Sequence, residues 1–145
     1  MSIKEHIEYS EVVEHCRILS GHIQKNGINK IVAITRGGMV PACLLAQFLN
    51  IRQIGSISLA SYDGNKQNDS LKVLAEPNMK IDEQTLFVDD LYDSGSTYRY
   101  IKSKYPQAKC AVVYTKNQTA VLDFPAEPKD KETWLVFPWE FDELD

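Results

Sequence analysis

One short stretch, Leu86-Phe87-Val88-Asp89-Asp90, constrains this chain more than any other. Its apolar part suits a strand buried on both faces of a sheet, and two carboxylates stand where the apolar run ends. After Leu91 and Tyr92 comes Asp93-Ser94-Gly95-Ser96-Thr97, and then a helical pattern from Tyr98 to Tyr105 that Pro106 stops. Strand, tight turn and helix make half of a βα crossover, and ligands bind beyond the carboxyl ends of such strands. A permissive glycine among three hydroxyls at a helix N-terminus forms a cradle for phosphate. The adjoining carboxylates suit sugar hydroxyls or Mg²⁺. An Asp and Ser helix cap with no ligand would carry part of this pattern too. Three neighbouring carboxylates, however, repel one another unless a cation or hydroxyl donors offset them, which favours a ligand site.

A second crossover lies upstream. Lys30 to Thr35 reads as a buried strand, Arg36-Gly37-Gly38-Met39-Val40-Pro41 as a loop, and Ala42 to Leu49 as a helix with Pro41 suited to its first turn. Two glycines let the backbone approach an oxyanion and Arg36 adds a charged donor; a plain Gly-Gly turn is the alternative. Before this unit, Tyr9 to Asn26 has apolar residues Val12, Cys16, Leu19 and Ile23 at helical spacing, with Ser10 as expected N-cap and Gly27 as stop. His15 and His22 fall off that stripe and read as solvated. Gly55 to Ala60 and Leu71 to Leu74 read as strands, separated by a polar stretch that suits a lid or a plain loop. Cys110 to Lys116 is a further buried strand; Asn117 to Thr133 shows no period. Trp134 to Glu140 would ordinarily be a docked, core-covering tail.

With 145 residues, 43% hydrophobic and 25% charged, one domain covering residues 1–145 is expected. A net charge of −4 argues against nucleic acid and anionic membranes as partners. Cys16, Cys43 and Cys110 lack metal-ligand spacing and read as buried free thiols in a reducing cytoplasm. No membrane-length apolar run or signal peptide is expected.

Val88 to Thr97 closely resembles the phosphoribosyl-pyrophosphate (PRPP) loop of type I phosphoribosyltransferases, in which two acidic residues precede Asp-Ser/Thr-Gly-x-Thr. Thr35 to Pro41 resembles the family's pyrophosphate loop, and Trp134 with Leu135 its base-binding segment. Within the family the likeness is to bacterial xanthine-guanine enzymes and runs from about residue 31 to 140. It implies an α/β fold: a Rossmann-like parallel sheet flanked by helices, a flexible active-site loop at about 62–80 and a base-binding segment at about 116–140.

The resemblance also implies roles. Asp93 is catalytic. Arg36, Gly37, Asp89, Asp90, Ser94, Gly95, Ser96 and Thr97 bind PRPP, with Asp90 on the Mg²⁺ side. Lys66 stands where relatives carry a loop Arg. Lys116, Trp134 and Leu135 select the base. A cis peptide is implied at Arg36–Gly37. The implied activity is purine salvage, the Mg²⁺-dependent transfer of phosphoribose from PRPP to a 6-oxopurine by a cytoplasmic homo-oligomer, dimer or tetramer. A hypoxanthine-guanine enzyme and a non-catalytic PRPP-sensing regulator are the alternatives.

Overall fold

The computed structural model describes residues 3–24, 27–61 and 71–141. In chain order the elements are β1 (Ile3–His6), α1 (Tyr9–Ile23), β2 (Lys30–Thr35), α2 (Met39–Leu49), β3 (Gln53–Ser61) and β4 (Leu71–Ala75). They continue with β5 (Thr85–Tyr92), α3 (Ser96–Lys104), β6 (Lys109–Thr115), β7 (Glu127–Pro128) and β8 (Thr133–Val136).

Six strands form one sheet in the order β4-β3-β2-β5-β6-β7. Every pairing is parallel except β3 with β4, so the antiparallel strand is confined to one edge. This is the expected Rossmann-like sheet. Its strands bury both faces by alternation along most of their length, which breaks near the carboxyl ends of β5 and β6. Leu86 and Val88 of β5, with Ala111 and Val113 of β6, pack into the core under α1 and α2. Phe87, Cys110 and Val112 face the other core, where Tyr98 and Ile101 of α3 lie.

Helix α1 buries Val12, Cys16, Leu19 and Ile23, the predicted stripe. Its cap differs from expectation: Glu8 is the N-cap residue and makes no side-chain cap bond, while Ser10 sits inside the helix. The described helix ends at Ile23, and Asn26 lies outside the described residues. His15 is not a solvated surface residue. It packs edge-on against Tyr114 at 5.4 Å, with Glu11 at 3.8 Å and Glu127 at 3.6 Å from its ring nitrogens. Cys43 is exposed, unlike Cys16 and Cys110. Burial pushes the Cys16 thiol up to about 12 and raises that of Cys110 as well, so both are unreactive at neutral pH.

The loop expected at about 62–80 divides. Residues 62–70, with Lys66, lie outside the described residues; 71–75 are β4, hydrogen-bonded along β3. The aperiodic 117–133 stretch contributes the short β7 and buried Phe124. The tail forms β8, paired in parallel with β1 in a separate two-stranded sheet (Ile3 opposite Thr133, His6 opposite Val136). No helix among the described residues is long and apolar enough to cross a membrane.

Candidate active site

Three loops meet at the carboxyl ends of β2, β5 and β6. The acidic pair does not follow β5 but belongs to it. The ladder with β6 continues through Asp89 opposite Val112 to Tyr92 opposite Thr115. Strand alternation therefore sends the two carboxylates to opposite faces. Asp89 shares the parity of Phe87 and lines the cavity enclosed by the Asp93–Thr97 turn. Asp90 shares the parity of Val88 and reaches the loop after β2, where a Cβ on Gly37 would fall on the Asp90 carboxylate. Gly38 is equally close to backbone: an added Cβ would fall on the Val88 carbonyl oxygen and within 2.8 Å of that of Ile34. These two glycines let the Arg36 loop settle onto the end of β5.

The cis peptide of this loop joins Thr35 to Arg36, one bond earlier than the implied Arg36–Gly37. The Thr35 hydroxyl donates to the Ile57 carbonyl at 3.4 Å and shares a 3.0 Å bond with the Ser58 hydroxyl, tying the loop to β3. Arg36 is exposed.

At the turn, Gly95 takes a left-handed conformation, φ 91°, and is the N-cap of α3. Ser96 and Thr97 thus form the first turn of that helix, which starts earlier than the pattern predicts. The N–H of Arg99 donates to the Gly95 carbonyl at 2.9 Å. The N–H groups of Thr97 and Tyr98 precede it in the first turn and have no acceptor within the helix. The Ser94 and Ser96 hydroxyls lie 3.0 Å apart.

Burial, joined by the charge of its neighbour Asp90, holds the Asp89 carboxyl well above the usual carboxylate range. Burial also raises Asp90, with the Glu140 carboxylate adding to the effect. No Lys or Arg pairs with either group among the described residues. The Asp90 N–H donates to Asp89 Oδ1 at 2.8 Å. A carboxyl raised on folding carries no penalty at low pH. The penalty grows as pH rises from the ordinary value of 3.8 toward the higher folded value, and is complete above it. Asp89→Asn, whose amide oxygen can still accept from Asp90, should therefore raise the melting midpoint at pH 7 by about 3 °C or more. The gain should shrink as pH falls toward 4. Thermal unfolding of the ligand-free protein at both pH values checks this; a gain independent of pH refutes it.

A cavity of about 1000 Å³ next to Asp89 and Asp90 is lined by Arg36, Gly37, Trp134 and Glu140. Trp134 is 58% exposed, whereas Leu135 is buried. A second cavity of about 1000 Å³ holds Asp93, Lys116 and Lys131. The structure therefore gathers Arg36, Gly37, Asp89, Asp90 and Trp134 on one side and Asp93 with Lys116 on the other. Lys116 and Trp134, expected to flank one base, line different cavities. The Lys116 N–H donates to the Tyr92 carbonyl at 2.9 Å, which fixes the backbone beside the turn. Glu140 was absent from the residues singled out in sequence. Its Oε1 accepts the Phe137 N–H at 3.0 Å, and only the folded tail brings it near Asp90.

This sheet end keeps two uncompensated carboxylates beside a turn whose helix N–H groups and hydroxyls have the chemistry to seat an anion. That combination belongs to the class of sugar-phosphate-binding α/β proteins. The family model for the phosphoribosyl transferase domain matches residues 8–145, and the chain belongs to that family. It is 39% identical over 113 residues to a xanthine-guanine phosphoribosyltransferase of Idiomarina loihiensis, covering 76% of this chain and 70% of that one. It is 36% identical to the protein so named from Roseobacter denitrificans, covering 93% of this chain and 84% of that one. Among solved structures, a Helicobacter pylori xanthine-guanine-hypoxanthine phosphoribosyltransferase is similar at TM-score 0.74 and 27% identity, covering 97% and 96%. A Pyrococcus horikoshii purine phosphoribosyltransferase shares the fold at TM-score 0.80 and 23% identity, covering 95% and 94%.

Proposed function

We propose that this protein is a purine salvage phosphoribosyltransferase that moves the 5-phosphoribosyl group of PRPP to a 6-oxopurine: guanine, xanthine or hypoxanthine. Family membership and the two xanthine-guanine relatives support this reading. The observation that carries it is the position of Asp89. This residue lines both the cavity under the turn and the cavity beside Arg36, so one ligand with phosphate at one end and pyrophosphate at the other spans it.

In the reaction the bond from the anomeric carbon to pyrophosphate breaks as a base nitrogen bonds to that carbon. Positive charge builds on the sugar between the two events. Asp89 and Asp90 bind the ribose hydroxyls on either side of the strand and stabilise that charge. Ser94, Gly95, Ser96 and Thr97 seat the 5-phosphate through hydroxyls and helix N–H groups. Arg36 and the Gly37 backbone hold pyrophosphate. Asp93, next to the Lys116 cavity, takes the proton released by the base. Lys116 donates to the oxygen at purine position 6, which disfavours adenine because an amino group cannot accept. Trp134 covers the face of the base and the Leu135 backbone meets its edge.

The donor set fits Mg²⁺: two hard carboxylates lacking a protein cation, with the ligand's own phosphates to complete the shell. No group of three or more ligating side chains converges among the described residues. Asp90 would hold Mg²⁺, which would neutralise the leaving pyrophosphate. The free buried thiols suit the cytoplasm. Tyr9 and Ile18 of α1 and Met39 and Phe48 of α2, all exposed, suit a homo-oligomer.

Mixing the protein with PRPP, Mg²⁺ and guanine should release pyrophosphate and form the nucleoside monophosphate. Binding of PRPP without release would favour the regulator instead. Lys116→Ala should raise the Michaelis constant for guanine about ten-fold or more, the weight of a charged hydrogen bond, and leave that for PRPP unchanged. Steady-state rates with each substrate varied decide it.

A further inference from the structure

Among the described residues, no Lys or Arg lines the cavity under the Asp93–Thr97 turn; its charged walls are Asp89 and Asp93. The Arg99 guanidinium lies beside Gly95, where its Nη1 donates to the Ser94 carbonyl at 3.2 Å, but it does not line the cavity. The donors that line the cavity itself are neutral. Several of these are already engaged: the Ser94 and Ser96 hydroxyls face each other at 3.0 Å, and the Ser96 N–H reaches Ser94 Oγ at 3.3 Å.

Tyr92 supplies another donor. Its side chain is only 8% exposed and lines this cavity. A Cβ on Gly95 would fall on its hydroxyl, so the phenol reaches the centre of the turn. Tyr98, whose ring meets that of Tyr92 edge-on at 5.5 Å, accepts the Asp123 N–H at 2.8 Å. The Tyr92 hydroxyl has no partner among the described residues. The hydroxyl is not among the sealed polar atoms of the described residues, where Trp139 Nε1 alone lacks a partner, so it opens on the cavity and can meet a ligand there.

We propose that the Tyr92 hydroxyl donates a hydrogen bond to the sugar 5-phosphate, making it a binding residue of the turn in addition to the serines and backbone. The inference rests on the reading of the turn as a phosphate seat. Tyr92→Phe keeps the ring and removes the donor. Calorimetry with ribose 5-phosphate and with pyrophosphate separates the two anion sites. The variant should bind ribose 5-phosphate about ten-fold more weakly or worse, the scale of a hydrogen bond to a charged group. Its pyrophosphate affinity and melting midpoint should stay unchanged. Equal ribose 5-phosphate affinity in the two proteins overturns the role of Tyr92 alone. Equal weakening for both anions overturns it too, since that reports a distorted site. A wild-type protein that binds no ribose 5-phosphate overturns the phosphate seat itself and Tyr92 with it.

Discussion

Asp93→Asn should lower turnover by about 100-fold or more, within the range that a positioned acid or base contributes. The Michaelis constant for PRPP should change little. Asp93 is exposed and lines both the cavity under the turn and the one that holds Lys116. No side-chain hydrogen bond or ion pair engages it among the described residues, so its carboxylate faces the ligand space uncommitted. Asn preserves its size and one acceptor oxygen, and removes the charge together with the capacity to take a proton. The two parameters therefore separate two roles. A fall in turnover at constant PRPP affinity marks an interaction made in the transition state, whereas a rise in the Michaelis constant alone marks ground-state binding. Unchanged turnover would reduce Asp93 to a residue that shapes the turn.

Gly38→Ala should have the largest effect on stability. The added methyl group would meet the carbonyls of Val88 in β5 and Ile34 in β2, and neither can rotate away as a side chain can. Gly38 also donates its N–H to the Ile34 carbonyl at 2.8 Å and is the N-cap of α2. Relief would require α2 to lift from the sheet. The cost should reach about 3 kcal/mol, the upper part of the usual range for overpacking. That corresponds to a fall of roughly 10 °C in the melting midpoint. Gly21→Ala is the matched control: nothing lies within 4 Å of the new Cβ, and Ala is the better helix former. Its midpoint should hold or rise. Equal midpoints for the two variants would refute the close packing of the Arg36 loop on β5.

The two crossovers were legible in sequence because each repeats a local signal: a short apolar run, then glycine and hydroxyl or arginine chemistry, then a helix. Alternation across both sheet faces follows from the same runs. The site was less legible where distant pairing decides it. Asp89 and Asp90 look like the end of a strand, since charge replaces apolar character there. Pairing with β6 keeps them in the ladder, and that pairing is invisible locally. Strand β1 has no period-2 signal: Ile3 is 72% exposed, and Lys4, Glu5 and His6 follow it. Its strand character comes from β8. Glu140 reaches Asp90 only through the fold of the tail. Cys43 sits among apolar neighbours in sequence yet on the outer face of α2, because a helix separates residues that a run places together.

The pairing of β1 with β8 also bears on the order of assembly. The Asp93–Thr97 turn is built from neighbouring residues at the junction of β5 and α3. Strand β1 begins at Ile3, far ahead of β8 in the chain, and pairs only once Thr133 and its neighbours are present. Closing so long a loop is entropically costly and slow. A chain lacking β8 therefore lacks the pairing that places Trp134 beside Arg36 and Asp90.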